Sequence, residues 1–442
     1  MTYREAIEYL YGLRWFGAKL GLENPRRLAA LAGHPERRLR FIHVAGTNGK
    51  GSVCAFLESV YRRAGYRVGL FTSPHLVRFG ERIQVNRELI PEAEVARLVE
   101  AMQPWLAQFP RNHHPTFFEV VTVMALLHFA ARECEVVIWE TGMGGRLDAT
   151  NIVLPLASVI TNIHYDHQRW LGYTLREIAA EKAGILKPGV PALTAADEPE
   201  ALAVIRTRAL ELGCPFWVVG PEAAEAAWLR RLSLPLAGPY QRRNAALAAA
   251  TVRVLQRELP VSQEALEEGL VQTTWPGRFQ QVRLPGGREM VLDGAHNVGA
   301  MAAFCGALAE RYPGVRPVVV LGVMADKDLE GIAREVAQVA GRVLCVPVPS
   351  ERGADPVQLA AVCRRVAPEL EVRPVESLAA ALEEAAGAPL VVVTGSLYLV
   401  GAALEELGLA GGSARDEKGL NTWTSPVGAD VGARESAVGP SL

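Results

Sequence analysis

The segment His43-Val44-Ala45-Gly46-Thr47-Asn48-Gly49-Lys50-Gly51-Ser52 sets two glycines, a lysine and a hydroxyl between an apolar run and a helix-period stretch. These residue types suit phosphate binding. Gly46 and Gly49 can take positive φ and bring backbone N–H groups onto an anion, Lys50 supplies a point charge, and Ser52 offers a hydroxyl to Mg2+. The spacing departs from the general G-x-x-x-x-G-K-[ST] pattern, because two residues separate the glycines and Gly51 follows the lysine. A phosphate loop calls for a metal, and two other strand ends offer donors. One apolar run delivers Glu140 into the turn Thr141-Gly142-Met143-Gly144-Gly145-Arg146-Leu147-Asp148; the other leads into Thr161-Asn162-Ile163-His164-Tyr165-Asp166-His167. Lys182 stands near the end of an amphipathic stretch closed by Gly184, where an amine can simply satisfy the last helix carbonyls. Asp293-Gly294-Ala295-His296-Asn297 follows another apolar run and reads either as an Asp-Gly turn with a helix cap or as a further polar cluster of the site.

Such loops need strands and helices to hold them. From Leu39 onward, short β-branched runs at 41–45, 67–72, 136–140 and 158–162 alternate with helix-period stretches at 51–64, 91–109, 117–133 and 174–183. That alternation predicts βαβ units and an α/β fold with a mainly parallel sheet. A second series has strands near 289–292, 317–321, 343–346 and 390–393, with helices near 300–311, 329–339, 356–366 and 378–386. The Pro276-Gly277 pair places a boundary near residue 275, giving domains 1–275 and 276–410. Residues 411–442 are rich in Gly, Ser, Ala and charge without periodicity, so a disordered tail is expected.

Composition bounds the rest. The 442 residues exceed one ordinary core, and 46 basic against 48 acidic side chains leave a net charge of −2, too little to hold nucleic acid or an anionic membrane. No apolar run reaches the roughly 20 residues that span a bilayer. The 6 cysteines are scattered singly, without a CxxC pair or a disulfide framework, which reads as a cytoplasmic protein.

Taken together, Gly46-Thr47-Asn48-Gly49-Lys50-Gly51-Ser52, Thr72-Ser73-Pro74-His75-Leu76, the Glu140 to Asn151 segment, Glu181-Lys182-Ala183-Gly184 and Asp293-Gly294-Ala295-His296-Asn297 resemble the folylpolyglutamate synthase and dihydrofolate synthase family of the Mur ligase group. The resemblance runs over about residues 1 to 410 in the same order. It implies an ATP-dependent amide ligase with a P-loop ATPase domain and a smaller Rossmann-like C-terminal domain. By similarity, ATP lies on Thr47, Asn48, Gly49, Lys50, Gly51 and Ser52, with Asn244, Arg278 and Asp293 as further contacts. Ser52, Ser73, Glu140 and His167 surround Mg2+, two ions being expected, and Lys182 matches a lysine that is carbamylated. Lys50, Lys182 and His296 carry the chemistry, while Thr116, Phe118 and Asp148 face a pterin or folate. Two positions depart from the family pattern, Tyr240 standing for histidine and Val298 for proline.

The implied substrates are ATP, L-glutamate and dihydropteroate or reduced folates, acting on a monomer. A substrate carboxylate takes the γ-phosphate to form an acyl phosphate, which the glutamate amine then attacks. A cell-wall Mur ligase would carry another domain before the phosphate loop, and about 45 residues before Gly46 are short for one. A P-loop kinase would explain the loop but leave the second domain without a role, and a non-catalytic nucleotide-binding module would leave the metal positions without one.

Overall fold

The structure is a computed structural model and describes residues 1–16, 21–284, 287–410 and Glu417. Its larger sheet has eight strands, in the order β4-β3-β2-β5-β1-β6-β7-β8. They are β1 (Phe41–Ala45), β2 (Val68–Phe71), β3 (Ile83–Val85), β4 (Glu88–Leu89), β5 (Val136–Glu140), β6 (Pro155–Ile160), β7 (Ala192–Thr194) and β8 (Phe216–Val218). The strands from β2 to β8 in that order pair in parallel, and β3 and β4 continue the edge in antiparallel.

Successive side chains of a strand point to opposite faces, and β1 shows what each face meets. Ile42 and Val44 pack with Val53, Phe56, Leu57 and Val60 of the Lys50–Arg63 helix, while Phe41 packs with Phe71, Trp139 and the Phe117–Ala131 helix on the other side. Every residue of β1 and β5 is buried, as expected for strands covered on both faces. Near-continuous apolar runs therefore predicted these two strands to the residue.

The second sheet has six strands, ordered β13-β12-β11-β14-β10-β9. They are β9 (Gln280–Arg283), β10 (Glu289–Asp293), β11 (Val318–Leu321), β12 (Arg342–Cys345), β13 (Glu371–Pro374) and β14 (Leu390–Thr394). All pair in parallel except β9, which runs antiparallel to β10. The helices Pro239–Val254 and Gln263–Val271 return to the first sheet and pack in the same core as the Lys50–Arg63 helix, so the chain leaves that sheet only at about residue 272.

The expected strand at 158–162 begins earlier, at Pro155, where a strand's first position tolerates proline, and ends at Ile160. Thr161 and Asn162 then turn to the phosphate loop. The tail expected over 411–442 lies outside the described residues except for Glu417. That residue is buried, its carbonyl oxygen accepting from His75 Nε2 at 3.1 Å and its carboxylate from the Phe79 N–H at 2.5 Å. Among the described residues no helix is long and apolar enough to cross a membrane.

Candidate active site

The carboxyl ends of β1, β5 and β6 lie side by side, and the polar turns that follow them converge. The Thr47 N–H donates to Asn162 O at 2.8 Å, the Asn48 N–H to Asn162 Oδ1 at 2.8 Å, and Thr161 Oγ1 to Asn48 O at 2.6 Å. The loop is thus held by the end of β6. Lys50 folds back over it, donating to Gly46 O at 3.2 Å and Thr47 O at 3.3 Å. Gly49 caps the following helix at φ 86°, and a Cβ there would stand 2.6 Å from Asn244 Oδ1. Ser52 is buried in the helix's first turn, its hydroxyl accepting from Gln241 Nε2 at 3.2 Å.

Gly46 is the tightest position. Its φ of 149° disfavours a side chain, and a Cβ would fall 1.8 Å from Thr161 Oγ1. Gly46→Ala is expected to strain the loop by about 1–3 kcal/mol and to weaken ADP binding roughly in proportion. Calorimetric titration checks this; wild-type affinity in the variant would show that the loop yields without strain.

Glu140 closes β5, with Oε2 accepting from the Ser73 N–H at 3.1 Å. Burial raises its carboxyl to about 7, against the opposing charge of Lys50 and the Ser73 hydrogen bond. Lys182 is 4% exposed, and its Nζ reaches across to Gly46 O at 2.8 Å rather than to the carbonyls of its own helix. Burial, then the neighbouring Lys50 charge, pushes its amine down to about 7. The turn after Gly142 supports it, because Gly145 lies so close that a Cβ would be 2.9 Å from both Glu181 O and Lys182 O.

The second sheet supplies the opposite wall. Asn297 caps the Val298–Arg311 helix through the Ala300 N–H, and it exchanges amide hydrogen bonds with Asn48 of the phosphate loop at 3.2 and 2.9 Å. Asn297 also donates to Asp166 Oδ2 at 3.0 Å, while Lys327 Nζ sits 2.5 Å from Asp166 Oδ1. His296 Nε2 is 3.6 Å and His167 Nε2 3.9 Å from Asp166 Oδ2. Burial raises the Asp166 carboxyl, but the His296 hydrogen bond and the charges of His167 and Lys327 outweigh it and hold the group well below its ordinary range. Asp293 accepts from the Phe279 and Ala295 N–H groups, and Arg278 lies over Gly294, where a Cβ would be 2.7 Å from Nη1.

Most of the residues singled out from sequence therefore meet at one seam. Thr116, Phe118 and Asp148 form a separate group: Phe118 and Asp148 meet at Gly142, while the Thr116 hydroxyl caps its helix through the Glu119 N–H. Asp148 accepts from the Met143 N–H and from the Thr150 N–H and hydroxyl. Tyr240 packs against the core of the second sheet beside Gly238. Val298 is the first residue of its helix, a position where proline would also fit. Sequence reading missed Lys327 and the Asn48–Asn297 pair. Lys327 does follow the apolar strand β11 in a polar turn, the pattern that pointed to Glu140 and Asp293.

A magnesium ion suits this donor set. Among the described residues no three His, Cys, Asp or Glu side chains cluster as a self-sufficient cage. Mg2+ commonly takes one or two carboxylates and draws its other oxygens from phosphate and water, which Glu140 beside the phosphate loop allows. His167, 41% exposed, lies on the Asp166 side of the loop.

Two mainly parallel sheets joined by one linker, with a phosphate loop on the first and polar turns of the second closing over it, define a Mur-type ligase. The Mur ligase middle domain model matches residues 44–234, and the Mur ligase glutamate ligase domain model matches residues 277–397. The dihydrofolate synthase/folylpolyglutamate synthase of Bacillus subtilis is 40% identical over 361 residues, covering 77% of this chain and 84% of that protein. The folylpolyglutamate synthase of Lacticaseibacillus casei is 34% identical over 434 residues, covering 92% and 99%. Among solved structures, folylpolyglutamate synthase from Thermotoga maritima superposes with a TM-score of 0.80 at 34% identity, covering 94% of this chain and 98% of that one. Escherichia coli FolC in complex with DHPP and ADP gives 0.81 at 32% identity, covering 92% and 98%. The chain belongs to the folylpolyglutamate synthase/dihydrofolate synthase family, and it is an ATP-dependent ligase.

Proposed function

We propose that this ligase joins L-glutamate to dihydropteroate, to tetrahydrofolyl-polyglutamate, or to both, through an acyl phosphate. The observation that carries the reading is the seam itself: Asn48 of the phosphate loop bonds Asn297 of the second sheet, so one cleft presents the nucleotide site and a second binding wall together. A kinase reading gives that wall no task.

In this reading Thr47 to Ser52 hold the ATP phosphates, Asn244, Arg278 and Asp293 make further nucleotide contacts, and Lys50 offsets charge on the transferring phosphoryl group. Ser52, Ser73, Glu140 and His167 would hold Mg2+, as two ions, which would neutralise charge at the phosphates when bound. The substrate carboxylate takes the γ-phosphate and ADP forms; the glutamate amine attacks the acyl carbon, and phosphate leaves as the amide forms. His296 donates Nδ1–H to Gly294 O at 2.8 Å and turns Nε2 toward Asp166 Oδ2, 3.6 Å away, so the ring is fixed at the seam where it orients the incoming amine. Lys182 acts as its carbamate. Phe118 and Asp148, meeting at Gly142, receive the pterin, with Thr116 beside them.

In the same reading residues 1–275 and 276–410 form the two domains of a cytoplasmic monomer without nucleic acid or membrane partners. A net charge of −2 and a set of free cysteines accord with that. The test is phosphate release from ATP with glutamate, comparing no pterin, 7,8-dihydropteroate and tetrahydrofolate, with products checked for one added glutamyl unit. Release with dihydropteroate alone means a dihydrofolate synthase, with tetrahydrofolate alone a polyglutamate synthase, and with both a bifunctional enzyme. Release with neither overturns the folate assignment.

A further inference from the structure

Gly51 is the second residue of the Lys50–Arg63 helix, and its φ is not in the positive range that would call for glycine. Glycine inside a helix costs about 1 kcal/mol relative to alanine, so some other constraint accounts for it. Beside the phosphate contact proposed above, Trp275 is one such constraint. A Cβ built on Gly51 would stand 2.9 Å from the indole Nε1 and 3.2 Å from Cε2 and Cζ2. The indole of the linker between the sheets therefore rests directly on the first turn of the phosphate-loop helix.

The contact is clamped from the other side. The Arg87 guanidinium lies 5.4 Å from the Trp275 ring centroid and donates through Nη2 to Thr274 O at 2.9 Å and to Thr274 Oγ1 at 3.2 Å. Its Nε is 3.9 Å from the buried carboxylate of Glu58, which belongs to the same helix as Gly51. Just beyond Trp275, Gly277 O accepts from the Gly294 N–H at 3.0 Å, and the Phe279 N–H donates to Asp293 at 2.7 Å. Within five residues the linker thus ties the phosphate-loop helix to the end of β10, with Arg278 carried between the two anchor points.

We infer that Trp275 is a positioning residue that couples phosphate-loop occupancy to the placement of Arg278, Asp293 and the second sheet. This rests on the ligase reading above. The indole fixes where the linker starts. A ligand that shifts the first turn of the helix moves the indole, and the second wall follows.

The experiment is a double-mutant cycle on the full chain with Gly51→Ala, Trp275→Ala and the pair, reading ADP affinity by calorimetry and kcat from phosphate release. Trp275→Ala should leave ADP affinity within about twofold while kcat falls on the order of tenfold, and adding it to Gly51→Ala should recover part of that variant's loss. Additive losses, or a Trp275→Ala effect confined to ADP affinity, would overturn the inference. Should Trp275→Ala fold poorly, Arg87→Gln leaves the indole in place and should lower kcat in the same direction; an unchanged kcat there counts equally against it. If the wild-type enzyme releases no phosphate with any folate, the ligase reading falls. The coupling is then read from the nucleotide-dependent change in tryptophan fluorescence, which must be smaller in Trp275→Phe; an identical change rejects it.

Discussion

Lys182→Ala should lower folate-dependent phosphate release by on the order of 10²–10³-fold, the scale seen when one charged group is removed from a developing transition state. The reason lies in the amine's position. It is buried, 2.8 Å from Gly46 O, and held at about 7 by burial and by Lys50. A neutral amine attacks carbon dioxide and loses a proton, so the proposed carbamate would form increasingly as pH rises through about 7. Lys182→Arg keeps a cation there and should be as inactive as alanine. Removal of carbonate should lower wild-type activity, and added bicarbonate should restore it. Full activity in Lys182→Arg would end the carbamate assignment. The same shift has a consequence for stability. Because the folded-state value lies below the ordinary 10.5, the unfolded chain binds the extra proton between about 7 and 10.5. Lys182 therefore destabilises the fold fully below about 7, and that penalty fades as pH rises toward 10.5.

The second large effect is expected at Lys327. Its Nζ holds Asp166 across the seam at 2.5 Å, and Asn297 adds a bond at 3.0 Å. Taking one partner from a buried ion pair leaves an uncompensated charge, typically at a cost of about 3–5 kcal/mol. Here Asp166 can regain water if the second sheet swings away, so the cost should appear as opening rather than unfolding. Lys327→Ala should lower kcat at least about a hundredfold and enlarge the radius of gyration in solution, since a few kcal/mol suffices to invert a two-state population. An unchanged scattering profile with unchanged kcat would remove the clasp from the mechanism. The pH sign is also fixed. The folded Asp166 titrates well below its ordinary 3.8, so its stabilisation is present above that value and is lost only as pH falls below it. A loss of activity near neutral pH therefore does not come from Asp166, whereas Glu140 and Lys182, both held at about 7, titrate in that range.

The parts of the fold buried on both faces were the most legible. β1 and β5 are continuous apolar runs and coincide with the predicted spans, as do the helices Leu329–Val339 and Pro356–Val366. β9 was not legible because Gln280–Arg283 is an antiparallel edge with alternating exposure and little apolar content. The short β3 and β4 escaped for a similar reason, since their pairing depends on the Asn86-Arg87 turn rather than on a long apolar run. In the site, turns that directly follow strands could be read because the chemistry is local in sequence. The Asp166–Lys327 clasp could not, since its partners are 161 residues apart and, although Asp166 stood in a turn singled out from sequence, Lys327 stood in none. Trp275 was visible as part of a linker, but only packing reveals that it lies against Gly51.

Every residue of the Lys50–Arg63 helix from Ser52 to Tyr61 is buried, whereas amides hold the phosphate loop to the second domain and an ion pair holds the turn after β6 to it. Local opening free energy follows buried apolar contact, so backbone amides of that helix should exchange with deuterium only at the slowest, most global rate, and those around Asn297 and Lys327 far sooner. On warming, the enzyme should then lose ligation before it loses ADP: the nucleotide seat outlasts the wall that makes it productive.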